Sequence, residues 1–396
     1  MIARLGLVLL ALGAPIAAQK RDVPRNDPSN CRWCGGDPER MAAAGVFSHG
    51  GFPFAATDTA QVDQLLGGKD IYWIETAHFE LGLALAPYKV GTNESKKIRA
   101  ELTEIAEALP DVDPKTRVLD PFLRTHLYAL RVEKLWKRFL DIVRKTEADF
   151  PDGMSVWLQG TPYRGEGPYV GQKGKFELIV LPTAADQVTL LKTHFGLTIE
   201  RTQRWNALER DSLIVVTNLM ENDLSDDERI HGHVVFNLTH NLIDGFKHYS
   251  YDTPRWLNEG LGHFTERELN PRFNTYDASE GSVGMKVNKS NWDAEVRELV
   301  AAGKAPRVAE LSALRTFAEF TLAHHYACWS MTKFMIATNP DGYGCLQEKL
   351  HGLKGADGLP DASNLPDRQR DAFRECFGMT YAQFDEAWQA WALLQQ

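Results

Sequence analysis

His240 and Glu259 are the pair in this chain best suited to hold a metal ion. His240 closes the stretch Phe236-Asn237-Leu238-Thr239-His240, and Glu259 sits in Trp256-Leu257-Asn258-Glu259-Gly260-Leu261-Gly262-His263-Phe264. Residues 241–258, 18 in all, separate them. On a helix, positions i and i+4 share a face, so a His four residues before His240 would aim a second imidazole at the same ion. Phe236 occupies that position and cannot ligate. A Glu in the next position would take a proton from metal-bound water; Asn237 has a similar shape but no basicity near neutral pH. A catalytic zinc takes three protein ligands and keeps a fourth position for water. One His and one Glu fall short of that set.

Other histidines could complete it. His263 follows Glu259 at i+4 and so shares its helix face. His324 and His325 lie in the later run Ala323-His324-His325-Tyr326-Ala327-Cys328-Trp329 and could reach in from a following helix. His233 precedes His240 by seven residues, about 10 Å along a helix, which suits two imidazoles on one tetrahedral ion poorly. His231 reads as a surface or capping residue. Glu221, Asp244 and Glu266 are the carboxylates that could stand in for the base missing at Asn237.

The spacing from His240 to Glu259, together with the W-L-N-E-G context, resembles the aminopeptidase-like gluzincin metallopeptidases. The second His and the Glu match; Phe236 and Asn237 depart from the pattern. The resemblance covers roughly residues 230–396. It takes in Tyr326, the position of an oxyanion stabiliser in such enzymes, and a tail, Phe373–Thr380 then Phe384–Trp388, like the terminal element of the exported peptidase-MA-like members. It implies an α+β, zincin-like fold: a small mixed sheet, a pair of site helices and a C-terminal helical lobe. It also implies a zinc site weakened by the missing ligand. The favoured reading is an exported pseudopeptidase with a binding or scaffold role toward a peptide or protein. The alternative is a zinc-dependent hydrolase rebuilt on His240, Glu259 and one of His263, His324 or His325.

Composition narrows the setting. The 396 residues are 43% hydrophobic and 24% charged, with net charge −9. That is a globular composition, and its acidity disfavours nucleic acid as a partner. Arg4, the apolar Leu5–Leu12 and the small residues at Ile16-Ala17-Ala18 read as a signal peptide over residues 1–18, hence a periplasmic or extracellular protein with no integral membrane segment after cleavage. Outside the cytoplasm the default state of cysteine is the disulfide. The expected pairs are Cys31–Cys34 and Cys345–Cys376, with Cys328 free on an apolar helix. The C-x-x-C at Cys31 and Cys34 would need two more ligands to bind a metal.

The elements that must position the site follow. Residues 19–70, rich in Gly, Pro, Asp and Asn, read as an extended Cys-containing leader. Residues 71–225 read as an N-terminal α/β lobe, with strands over Ile71–Leu81, Lys175–Pro182 and Asp211–Thr217. Its helices fall over Lys96–Leu109, Pro121–Thr146 and Ala184–Phe195. Residues 226–396 read as the gluzincin-like helical lobe. Within it a helix over His233–Leu242 packs beside one over Trp256–Glu268, Asp226 or Asp227 caps the first, and Thr265–Val287 forms a loop-rich insertion.

Overall fold

The computed structural model describes residues 23–150, 162, 163, 165–221, 224–248, 253–272, 274–276, 290–359 and 361–395. The expected signal peptide, and the part of the expected insertion between 277 and 287, lie outside the described residues. Among the described residues no helix is long and apolar enough to cross a membrane.

A five-stranded mixed sheet forms the floor. Its strands are β1 (Tyr72–Glu75), β2 (Phe79–Leu83), β3 (Phe176–Leu181), β4 (Gln203–Ala207) and β5 (Ser212–Asn218), in the order β1-β2-β3-β5-β4. The central strands β2, β3 and β5 run parallel, while each edge strand is antiparallel to its neighbour. Parallel strands need long crossovers. Two helices, α1 (Ser95–Ala108) and α2 (Pro121–Val143), connect β2 to β3; α3 (Ala184–Phe195) and β4 connect β3 to β5. The runs Phe176–Leu181 and Ser212–Asn218 are buried throughout because both sheet faces are covered. Alternate residues go to opposite sides. Leu178, Val180 and Val215 join the large core under the helices, whereas Ile179, Leu181, Ile214 and Val216 pack with Leu190 and Leu191 of α3.

The helices above the sheet are α4 (Asp227–Lys247), α5 (Arg255–Leu269), α6 (Trp292–Ala301), α7 (Leu322–Thr338), α8 (Pro340–Lys349), α9 (Leu365–Phe377) and α10 (Tyr381–Ala392). The α4 helix starts where the Asp226 side chain accepts from the Arg229 amide and ends at His248, with φ of 67°. Apart from its ends it is buried nearly all round, as a helix enclosed by sheet and other helices must be. One cluster of buried apolar side chains runs from Val46 and Ile74 through α2, α4, α5 and α7 to Trp388 and Ala392.

Three expectations change. The single strand over Ile71–Leu81 is a hairpin, β1 and β2, because Thr76–His78 turn out of the sheet and His78 stacks on Trp136 with Nδ1 2.7 Å from Glu133. Residues 265–269 belong to α5 rather than to an insertion. The leader is not extended: helices Pro38–Ala43 and Thr59–Leu65 form, and Phe52, Phe54 and Val62 pack beneath the sheet.

The start of α4 is fixed by buried charge. Asp227 accepts from Arg131 at 2.7 Å and from Arg124 at 3.3 Å, and Arg131 also grips Glu101 through two hydrogen bonds. Burial alone would raise the Asp227 pKa, but Arg131 and Arg124 outweigh it and hold the carboxyl below its usual range. Removing one partner of a buried ion pair costs about 3–5 kcal/mol, so Asp227→Ala should lower the urea-unfolding free energy by that order at neutral pH. Because the folded-state pKa is depressed, this stabilisation is present above the unfolded pKa of about 4 and disappears as pH falls through the folded value. The gap between wild type and variant should therefore shrink in acid; a gap that did not change with pH would show that Asp227 acts only by packing.

Candidate metal centre on three helices

The site lies where α5 is held between α4 and α7. Glycine lets α5 approach both. A β-carbon on Gly262 would stand 2.8 Å from His240 Nε2 and 3.1 Å from Phe236 Cδ2 on α4. One on Gly260 would stand 2.6 Å from the Cys328 carbonyl oxygen on α7 and would strike Thr332. The W-L-N-E-G-L-G-H run therefore combines Glu259 with the two bare backbone positions that bring its neighbours within reach.

Four side chains converge there. His240 Nε2 lies 3.3 Å from Glu259 Oε1, so the two expected helices do set these residues face to face. On the other carboxylate oxygen, His263 Nε2 and His325 Nδ1 each lie 3.5 Å from Oε2, and the two ring nitrogens are 3.0 Å apart. Glu259, His263 and His325 are all 0% exposed. Neither oxygen of Glu259 has a hydrogen-bond partner among the described residues. An isolated buried carboxylate is costly unless it is paired or bound to a cation. The donor set fits such a cation: ligand atoms about 2.0–2.2 Å from a tetrahedral zinc lie about 3.4 Å from one another, close to the separations here. Glu259, His263 and His325 are thus a group that could hold a metal ion.

The surroundings keep His263 ready to ligate and keep water out. Burial, then the neighbouring His325, push its pKa well below the usual imidazole value, which leaves the ring neutral. Its far nitrogen, Nδ1, lies 3.6 Å from Glu266, whose own pKa burial raises to about 8. Glu266 accepts instead from the Thr275 amide and hydroxyl, and His263 Nδ1 makes no hydrogen bond among the described residues. Around the group stand Phe236, Tyr276, Trp292 and Phe320, with ring centres 4.9–5.4 Å from the nearer of His263 and His325. Phe236 is fully buried against His240, at 4.7 Å, and His263, at 5.1 Å. It does more than delete a ligand, since it fills the space between the two imidazoles.

Other residues singled out in the sequence lie elsewhere. His324 is not at the metal group: its Nδ1 accepts from the Thr321 amide in a capping box at the start of α7, and Nε2 lies 3.0 Å from Glu310. Tyr326 is one residue past His325 and so on another face of α7; its ring packs on Trp292, and Glu295 and Arg267 are the charges acting on its hydroxyl, which does not serve Glu259. Asn237 accepts from Arg204 of β4 at 2.9 Å and donates to the His233 carbonyl. His233 itself bonds to Thr202 and Thr217. Glu221 accepts from Thr202, and Asp244 faces the field of Arg204, Arg255 and Lys247, so Glu266 is the one of the three carboxylates beside the group.

No family model matches the chain, and no curated protein matches it. The likeness to gluzincins therefore rests on the residues themselves.

The cysteines divide. Cys345 on α8 and Cys376 on α9 form a disulfide. Cys31 and Cys34, expected as a second bridge, are both unbridged and buried, and with His126 they make a second group whose ligand atoms lie within 4.8 Å of one another. Cys328 is buried and outside any disulfide. Sequence reasoning missed His126, which on the amphipathic α2 looks like a core residue.

The glycine contacts generate a stability test. Gly260→Ala should lower the unfolding free energy by about 1–3 kcal/mol, because the obstacle is α7 backbone that cannot rotate away. Gly232→Ala on α4 is the control: its β-carbon would meet Glu266 at an ordinary 3.5 Å, and Ala is the better helix former by roughly 0.5–1 kcal/mol. Urea titrations of both should show opposite signs; equal effects would mean that helix propensity, not the α5–α7 approach, decides.

Proposed function

We infer that this protein is a non-hydrolytic relative of the gluzincin peptidases, exported, whose metal site has moved along the Glu helix. Glu259 is kept, but the imidazoles come from His263 on α5 and His325 on α7 instead of from an H-x-x-x-H pair on α4. The observation that carries this reading is the buried Glu259 carboxylate, without a hydrogen bond, facing two ring nitrogens at ligand spacing.

Two features favour a closed, structural metal over a catalytic one. The group is fully buried among aromatic rings, so the fourth position that three protein ligands leave on a zinc is closed to bulk solvent and to a peptide substrate. Asn237, in the place of the general base, is engaged by Arg204 and His233, and its amide cannot accept a proton at neutral pH. A bound cation would neutralise Glu259 and tie α5 to α7. The function is then binding or scaffolding toward a peptide or protein, and the edge strand β4 is the kind of surface to which an extended segment adds.

Protein purified without chelator should carry a divalent metal, and His263→Ala with His325→Ala should remove one equivalent by elemental analysis. The wild type should show no chelator-sensitive cleavage of a broad peptide library. Unchanged metal content in the double variant would overturn the site. Peptide cleavage abolished by His240→Ala would overturn the non-hydrolytic reading.

A further inference from the structure

We propose that Cys31, Cys34, His49 and His126 form a second, structural metal site of the Cys2His2 type, suited to zinc, that fastens the N-terminal segment to the body of the protein. The site is independent of the Glu259 group. A C-x-x-C supplies two ligands and needs two more, and the fold brings both. Cys31 Sγ lies 3.6 Å from His126 Nε2 on α2, and Cys34 Sγ lies 3.3 Å from His49 Nε2 in the loop before β1. With Zn–S about 2.3 Å and Zn–N about 2.0–2.1 Å, tetrahedral geometry puts sulfur and nitrogen about 3.5 Å apart. The ligand atoms of Cys31, Cys34 and His126 lie within 4.8 Å of one another, and His49 joins them through Cys34, its ring edge to face with that of His126 and their centres 5.4 Å apart.

The surrounding contacts suit metal ligation. His49 Nδ1 lies 2.9 Å from the Trp73 carbonyl, which can only accept, so the proton sits on Nδ1 and the lone pair of Nε2 points at the sulfur. A ligand His is commonly fixed through its other nitrogen in this way. The turn is shaped for sulfur. Gly35 and Gly36 take φ of 63° and 67°, the Gly35 amide donates to the Cys31 carbonyl, and the amides of Cys34 and Gly36 are hydrogen-bonded to the sulfurs of Cys31 and Cys34. Such amides stabilise thiolate charge. Cys31, Cys34 and His126 are 1%, 0% and 3% exposed, a pair of buried thiols against two imidazoles. A divalent ion would displace the thiol protons and balance two thiolate charges, which closes the site as a neutral four-ligand centre. Its ligands come from three separate segments, so the ion would cross-link residues 31–49 to α2 beside β1.

Cobalt is the probe, on the full-length protein. Wild type reconstituted with Co2+ should show a thiolate-to-cobalt charge-transfer band with tetrahedral d–d bands. Both should persist in His263→Ala/His325→Ala, so the outcome does not depend on the Glu259 group. The charge-transfer band should be lost in Cys31→Ser/Cys34→Ser, and the d–d bands should weaken in His49→Ala. Because these variants may not all fold, zinc X-ray absorption on the wild type gives a second reading, with a sulfur shell expected at about 2.3 Å. The proposal is overturned by a wild type with no thiolate–cobalt band and no sulfur shell. It is equally overturned by peptide mapping that finds a Cys31–Cys34 disulfide in protein purified without added reductant. An unchanged cobalt spectrum in His49→Ala would remove His49 as the fourth ligand.

Discussion

A carboxylate sealed in the core governs the arrangement of this protein. Taking one ion out of water costs several kcal/mol even after relaxation, and Glu259 is fully enclosed. Ring nitrogens from three helices face it, His240 from α4, His263 from α5 itself and His325 from α7, at 3.3–3.5 Å and without a hydrogen bond to either oxygen. A shift of any of these helices by a turn would break up that arrangement. Gly260 and Gly262 turn that electrostatic demand into close packing, since each removes the side chain that would hold a neighbouring helix away.

An apolar ring and candidate metal ligands lie side by side on the same helix pair. In the gluzincin pattern that the sequence resembles, the position of Phe236 would carry an imidazole. Here a phenyl ring occupies it and packs on both His240 and His263. The nitrogens that could share a cation with Glu259 come from His263 and His325, where Trp292, Tyr276 and Phe320 complete an apolar wall. A wall of rings strengthens every charge interaction inside it and excludes water at the same time.

Local periodicity revealed part of this. The strands around Phe176–Leu181 and Ser212–Asn218 are short apolar runs that only a buried sheet explains, and the α4–α5 pair follows from two helical patterns and the spacing between His240 and Glu259. What depends on rotation about a helix axis was not legible. His324 and His325 are neighbours in sequence, yet about 100° apart around α7, so one caps a helix end and the other faces Glu259. Nothing in the run of residues distinguishes them. Long-range convergence was hidden for the same reason. Cys31 and His126 are 95 residues apart with no pattern between them that announces their contact, and C-x-x-C alone reads as a disulfide. The hairpin at Thr76–His78 was missed because His78 finds Glu133 and Trp136 on a distant helix, a tertiary reward no strand propensity contains.

The central claim is that Glu259 is balanced by a cation shared with His263 and His325. Anomalous diffraction at the zinc edge, on crystals grown without chelator, tests it most directly. The account predicts a peak about 2.0–2.2 Å from Glu259 Oε2, His263 Nε2 and His325 Nδ1. A map with no peak there and Glu259 hydrogen-bonded to His240 would contradict it, as would an ion held by His240 with a water ligand.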